Sequence, residues 1–288
     1  MRIRPMTPDD IEAAHAAART TLVGDHEGLE QARTRTPEEM TRFKARYYHL
    51  LHTDPEGAWV AAEGEHVVGS ALALRREDVW GLSLLVVSAS RQGKGVGRAL
   101  LERTLGYAEG CKGGIFMSST HPGAMRRYAL AGFVLHPTLD ATGTVRRAVL
   151  PAGLRVRDGA ETDLELVAAV DRGVRGAAHT SSDIEDLLRL GGRLLIAERA
   201  AGRGYAIAEE GSPGLLAATD AKIAADLLWA CLANASELVV KVSWLTATQQ
   251  WAMPVVLAAG LTLAPAGPVC VRGELGPLTP YLPNNLYL

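Results

Sequence analysis

The stretch that decides the fold is Val87–Leu101, VSASRQGKGVGRALL. It follows an apolar run that ends in LSLLVV, and it leads into a segment whose apolar residues recur at helical spacing. Its three glycines let the backbone turn tightly and let a ligand approach without meeting a Cβ. Because the first turn of a helix offers unpaired N–H groups and the positive end of the helix dipole, the stretch predicts an anion-binding loop between a buried strand and a helix.

The spacing of the glycines restricts which anion is expected. The pattern GxxxxGK[ST] is absent, and GxGxG differs from the dinucleotide fingerprint GxGxxG. Lys94 and Arg98 add positive charge at the same place. A glycine-rich turn without a ligand is the alternative, because short motifs also occur by chance.

Two separate motifs carry a family resemblance. Gln92–Gly97, QGKGVG, resembles the Q/R-x-x-G-x-G/A loop of the GNAT superfamily of N-acetyltransferases. Further on, 121–133, HPGAMRRYALAGF, is similar to the family's helix N-x-x-A-x-x-x-Y-x-x-x-G-F, with Tyr128 in register and His121 in place of the usual asparagine. The resemblance covers about residues 2 to 150 in element order.

The resemblance implies acetyl-CoA as cosubstrate and no metal. The loop would bind its pyrophosphate, and the backbone of the preceding strand would hold the pantetheine arm and the acetyl carbonyl. Tyr128 is the implied catalytic residue, whose phenol would donate a proton to the departing thiolate; packing against the sheet is the alternative role. The implied coenzyme-binding residues are Leu85, Val86, Val87, Gln92, Gly93, Lys94, Gly95, Val96, Gly97, Arg98, His121 and Tyr128.

The general base is not identified by the resemblance. An attacking amine must be neutral, yet an alkylamine with a pKa of about 10.4 is almost fully protonated at pH 7. Many family members place a glutamate six residues ahead of the residue matching Val87, where this chain has Gly81. For the other candidates a solvated surface role is the simpler interpretation, and His121 before Pro122 also suits a helix N-cap. These candidates are His26, Glu27, Glu30, Glu77, Asp78 and His121.

The chain of 288 residues is predicted to contain two copies of one fold. Ile3-Arg4 followed by Asp10 is echoed at equal spacing by Val156-Arg157 followed by Asp163. We predict an α/β (α+β) architecture with a catalytic domain at 1–150 and a GNAT-like domain at 151–288, each a mixed, mostly antiparallel sheet flanked by helices. The first half reads β-α-α-β-β-β-α-β-α-β, with 145–150 as its closing strand and 75–78 as a solvated hairpin turn. Two unrelated α/β domains are the alternative.

The second half lacks the features that carry the chemistry. No glycine loop occurs around 215–221, and Val256 stands where a tyrosine would match Tyr128. We therefore predict a degenerate copy that shapes the acceptor site or an oligomer interface.

Composition narrows the class of protein. The net charge of −2 gives no case for nucleic acid or an anionic membrane. Three widely spaced cysteines and the polar start MRIRPMTPDD indicate a cytoplasmic protein without a disulfide or zinc framework.

The uncharged stretch 242–271 is broken by proline and glycine, which favours a buried helix and strand over a membrane span. Few charges between 211 and 270 make a homodimer possible, and the apolar tail 280–288 is expected to dock onto the body.

These observations predict an acetyl-CoA-dependent N-acetyltransferase that acts on a primary amine of a small molecule or peptide. A non-catalytic acyl-CoA-binding or sensing protein is the first alternative, because the strand glutamate is missing. An assembly module with a vestigial loop is the second, and the intact loop argues against it.

Overall fold

The computed structural model describes residues 1–24, 37–235 and 239–288; within these ranges it does not describe the side chains of 20, 22–24 and 37–43. Its first half contains, in chain order, β1 (Arg2–Pro5), α1 (Ile11–Gly24), α2 (Pro37–Thr53), β2 (Ala58–Glu63), β3 (His66–Arg76), β4 (Val79–Val87), α3 (Val96–Gly106), β5 (Gly113–Met117), α4 (Pro122–Leu130) and β6 (Val134–Gly143).

The second half repeats this order. It contains β7 (Arg157–Asp158), α5 (Leu164–Val174), α6 (Ser181–Arg189), β8 (Arg193–Arg199), β9 (Gly202–Glu209), β10 (Ser212–Ala218), α7 (Ala221–Ala233), β11 (Val240–Thr246), α8 (Met253–Ala258) and β12 (Thr262–Gly273), followed by the short β13 (Tyr281–Leu282). The predicted mixed, mostly antiparallel architecture is confirmed, with β4 and β5 forming a parallel pair.

The sequence echo between the halves corresponds to a repeated ion pair. Arg4 binds the carboxylate of Asp10 through two hydrogen bonds of 2.6 and 2.7 Å, and Arg157 binds Asp163 through bonds of 2.8 and 2.6 Å. In each half the same carboxylate also accepts a backbone N–H three residues earlier at 2.8 Å. The pair therefore fixes the entry from the first strand into the first helix in both copies.

The two halves exchange their last long strands. The strand order in the larger sheet is β1-β2-β3-β4-β5-β12-β6-β11, and in the smaller sheet β13-β10-β9-β8-β7. Thus β12 of the second half pairs with β5 of the first, while β6 of the first pairs with β11 of the second. A continuous network of backbone hydrogen bonds consequently ties both halves together.

This exchange corrects the predicted closing strand at 145–150. The strand at this point of the chain is β6, which ends at Gly143, and Arg147–Val149 form a single 3-10 turn. The reason is that β12 occupies the edge of β5, where a closing strand from the first half would pair. The stretch 242–271 supplies β11, α8 and β12, and none of the helices in the described ranges is long and apolar enough to cross a membrane.

The predicted solvated turn at 75–78 is also wrong in one respect. Arg76 is only 3% exposed, because the second half covers it. Its guanidinium lies between Asp54, at 2.9 Å, and Asp183 of the second half, at 2.7 Å. Burial disfavours the charged form of Asp183, but hydrogen bonds from His49 and Arg76 hold its pKa well below the usual value.

The tail docks between the halves, as expected. Tyr281 and Leu282 pair with β10, and the amide of Asn284 donates to the carbonyl of Gly214 at 2.9 Å. The hydroxyl of Tyr287 donates to the carboxylate of Asp186. Residues 281–284 and 286–288 are buried.

Candidate active site

The candidate site is a cleft that opens where two strands of the larger sheet diverge. The parallel pairing of β4 with β5 covers only Val79–Gly81, opposite Gly113–Ile115. Beyond this point residues 82–87 of β4 form one wall of a cleft of about 450 Å³. The glycine loop, the start of α3, the residues after β5 and α4 form the other walls.

The glycine loop has the geometry of an anion site. Gly93 and Gly95 adopt φ values of 72° and 83°, in the left-handed region that favours glycine. Gly95 is the N-cap of α3, and a glycine has no side chain that could cap the first turn of that helix. The first-turn N–H groups are therefore available to a negatively charged ligand. The side-chain amide of Gln92 donates to the carbonyl of Val87 at 3.1 Å and so ties the loop to β4.

Most of the predicted coenzyme-binding residues meet at this cleft. Lys94 and Arg98 do not line it: the Lys94 ammonium donates to the carbonyl of Ser90 at 3.0 Å, and Arg98 pairs with Glu102 at 2.7 Å. The predicted residues that line the cleft are Leu85, Val86, Val87, Gln92, Gly93, Gly95, Val96, Gly97, His121 and Tyr128.

Several polar residues of the cleft were not predicted from the sequence, above all Arg127. Its Nε lies 3.7 Å from the position that a Cβ on Gly97 would take, directly beside the glycine loop. Among the described residues that line the cleft, it alone is a lysine or arginine. The sequence shows two adjacent arginines, Arg126 and Arg127, on this helix. Which of the two faces the cleft depends on how α4 packs against the sheet, and the sequence does not show this. The other missed residues are Thr21, Ser83, Ser118 and Ser119.

Tyr128 both packs and faces the cleft. It is 5% exposed, and its ring meets Phe116 edge-on with 4.5 Å between centroids. Burial raises its pKa well above the usual value of about 10. The phenol therefore remains protonated throughout the physiological range and can donate a proton or hydrogen bond.

The candidate bases are placed as follows. His121 is the N-cap of α4, and its Nδ1 accepts the N–H of Ala124 at 3.3 Å, which confirms the capping interpretation. Glu77 and Asp78 lie in the turn before β4, away from the cleft, where they form ion pairs with Arg172 and Lys112. His26, Glu27 and Glu30 lie outside the described residues.

Comparisons with known proteins agree with this geometry. Residues 26–133 match the model of the acetyltransferase (GNAT) family. No curated protein sequence matches the chain. A structure described as that of a candidate acetyltransferase from Pyrococcus horikoshii superposes with a TM-score of 0.76 at 18% identity, covering 98% of this chain and 93% of the other.

Two further structures show the same two-half fold at low identity. A GCN5-related N-acetyltransferase from Kribbella flavida gives a TM-score of 0.59 at 18% identity and covers 94% of this chain and 71% of the other. A tandem GNAT protein from the clavulanic acid biosynthesis pathway gives 0.57 at 14% identity and covers 94% and 98%. At such identities the similarity shows the fold.

Proposed function

We propose that the protein transfers the acetyl group of acetyl-CoA to a primary amine of a small molecule or a peptide, because residues 26–133 match the model of the acetyltransferase (GNAT) family. The observation that carries this proposal is the cleft itself. An open strand edge runs into a glycine loop at an uncapped helix N-terminus. That combination suits a ligand with amide groups along its arm and a diphosphate at its end.

The residues of the cleft suit acyl transfer. The backbone of Leu85–Val87 would hold the arm of the coenzyme, and one N–H of this edge would stabilise the negative charge that develops on the acyl oxygen. Loss of a comparable donor costs about 3 kcal/mol in other acyl-transfer enzymes. As the amine nitrogen bonds to the carbonyl carbon, the C–S bond breaks and Tyr128 donates its proton to the sulfur.

Arg127 would supply the positive charge that was predicted to come from Lys94 and Arg98. Its side chain lies beside Gly97, at the start of the helix that would receive the diphosphate. A guanidinium can donate two parallel hydrogen bonds to a phosphate group. We therefore assign Arg127 to the coenzyme-binding residues.

The second half would bind no coenzyme of its own. Asp220 caps the helix α7, accepting the N–H groups of Lys222 and Ile223 at 2.9 and 3.1 Å, so a carboxylate already occupies the anion position. The edge of β10, which corresponds to the open edge of β4, pairs with β13. We infer that the second half shapes the acceptor side of the site and that each chain binds one acetyl-CoA.

Calorimetric titration with acetyl-CoA, combined with CoA release measured over a panel of amines, tests this proposal. We expect one bound coenzyme per chain and amine-dependent release. Gly95→Trp should abolish binding, whereas Gly64→Trp, at an equally left-handed glycine in the β2–β3 turn, should not. Absence of binding would refute the proposal. Two bound coenzymes per chain would refute the inference that the second half binds none. Binding without transfer to any amine would favour the alternative of a sensing protein.

A further inference from the structure

Ser83 is the extra residue of a β-bulge in the wall of the cleft. In the pairing of β3 with β4, Leu72 faces Leu84 and Ala73 faces Leu82, so Ser83 has no residue opposite. Bulges bend a strand and redirect a side chain. The bulge is held in place by Arg46, whose guanidinium donates to the carbonyl of Ser83 at 2.9 Å and to the carbonyl of Asn285 at 3.1 Å.

Among the residues that the structure describes, none is a hydrogen-bond partner for the buried hydroxyl of Ser83. The residue lines the cleft and is 8% exposed, and its Oγ is one of the buried polar atoms with no partner among the described residues. Leaving a buried hydroxyl unsatisfied costs about 1–3 kcal/mol. Because no described residue satisfies this hydroxyl, a polar group of a ligand bound in the cleft is the candidate partner for it.

Resting on the proposed function, we propose that Ser83 Oγ donates a hydrogen bond to the acyl carbonyl oxygen and so acts as a second oxyanion donor beside the backbone of β4. Ser83 lies on the same strand, two residues before Leu85, the first of the residues whose backbone would hold the acyl arm. Because the carbonyl oxygen gains negative charge during the reaction, this hydrogen bond becomes charge-assisted and favours the transition state over the ground state.

The step balances without further reactants. The neutral amine forms the new C–N bond, and the carbonyl electron pair moves onto the oxygen that Ser83 contacts. The pair returns as the C–S bond breaks, the sulfur takes a proton from Tyr128, and the amine nitrogen releases one proton that restores the phenol through solvent. Ser83 keeps its own proton throughout.

The test compares Ser83→Ala with Ser70→Ala. Ser70 is also buried, but its hydroxyl lies 3.2 Å from the hydroxyl of Tyr47 and has a hydrogen-bond partner there. Ser83→Ala should lower kcat at least about tenfold and leave the Kd for acetyl-CoA and the KM for the amine unchanged. Its Tm should stay the same or rise, because the variant removes an unsatisfied buried hydroxyl. Ser70→Ala should lower Tm. Ser83→Cys, with a weaker donor, should give an intermediate kcat.

The outcomes separate this inference from the proposed function. If the wild-type protein binds acetyl-CoA and acetylates an amine but Ser83→Ala keeps the wild-type kcat, the oxyanion role is wrong and the proposed function stands. A fall in Tm for Ser83→Ala that matches the fall for Ser70→Ala would also overturn it, since it would show a structural use of the hydroxyl. If the wild-type protein transfers no acetyl group, both fail.

Discussion

Leu288 fills the space beside Gly81. A Cβ on Gly81 would lie 2.0 Å from Cδ1 of Leu288 and 3.2 Å from Cδ1 of Leu74. Leu288 is 1% exposed, and its main-chain oxygen accepts a hydrogen bond from the imidazole of His179. The strand position where many family members carry a glutamate is therefore packed here by an aliphatic side chain from the tail.

Gly81→Ala is expected to destabilise the fold by about 1–3 kcal/mol, because the new methyl group overpacks a buried contact. Leu288→Ala alone should cost about 2–5 kcal/mol through the cavity that it leaves. In the double variant the two changes compensate, so its loss should be smaller than the sum. Urea unfolding of the four proteins measures this coupling, and strictly additive losses would contradict the contact.

Arg127→Gln should raise the Kd for acetyl-CoA about tenfold, since it removes a charged hydrogen bond to phosphate. Arg126→Gln is the matched control, because Arg126 is the exposed neighbour on the same helix and does not line the cleft. Titration calorimetry at low and high salt should show a weaker salt dependence for Arg127→Gln than for the wild-type protein. Equal affinities for both variants would remove Arg127 from the site.

Tyr128→Phe should spare coenzyme binding and lower kcat by about 10²-fold or more, the usual contribution of a positioned general acid. Because burial raises the pKa of Tyr128, the donor remains protonated at neutral pH. The part of kcat that depends on it should therefore show no alkaline decline below about pH 10. Steady-state rates from pH 6 to 10 check both statements, and an unchanged kcat would leave Tyr128 with only its packing role against Phe116.

Asp183→Asn should cost about 3–5 kcal/mol, because it removes a carboxylate partner from the buried Arg76. The pKa of Asp183 is lowered in the folded state, so its stabilising effect is complete above the unfolded value of about 3.9 and is lost as the pH falls below it. The carboxyl groups of Asp10 and Asp163, whose pKa values are lowered to about 2, act in the same direction.

Unfolding free energies measured from pH 6 down to pH 2 should therefore fall steadily for the wild-type protein and less steeply for Asp183→Asn. Glu77→Gln is the control, because its ion pair with Arg172 is exposed and should contribute little. Parallel acid profiles for the wild type and Asp183→Asn would show that Asp183 titrates alike in the folded and unfolded states.

Local patterns predicted the elements that position the site. The glycine loop and the helix with Tyr128 depend on residues close in sequence, and the structure contains both where they were expected. For Arg4 and Asp10 the sequence showed only a repeated spacing, and the structure adds the ion pair. Side-chain direction was harder to predict. Lys94 and Arg98 flank the loop in sequence yet bond outside the cleft, while Arg127 reaches it from another helix.

Contacts between the halves could not be predicted from local patterns. Arg76 looks like a surface residue in the run RRED, and only the approach of α6 with Asp183 buries it. The pairing of β12 with β5 joins residues about 150 positions apart, so no short-range pattern indicates it. The same long-range pairing explains why no strand forms at the predicted position 145–150, and why the last strand of the first half is β6, which ends at Gly143.

The strand exchange predicts that the two halves unfold as one cooperative unit. Without β12, the edge of β5 and one edge of β6 would lose their backbone partners, and the apolar residues of β12 that cover them would be absent. A fragment of residues 1–150 should therefore aggregate or remain unfolded, although it contains every predicted coenzyme-binding residue. Calorimetry of the whole chain should show one transition whose calorimetric and van't Hoff enthalpies agree. Two resolved transitions, or a 1–150 fragment that unfolds cooperatively and binds acetyl-CoA, would show that the first half is complete without the strand that it receives.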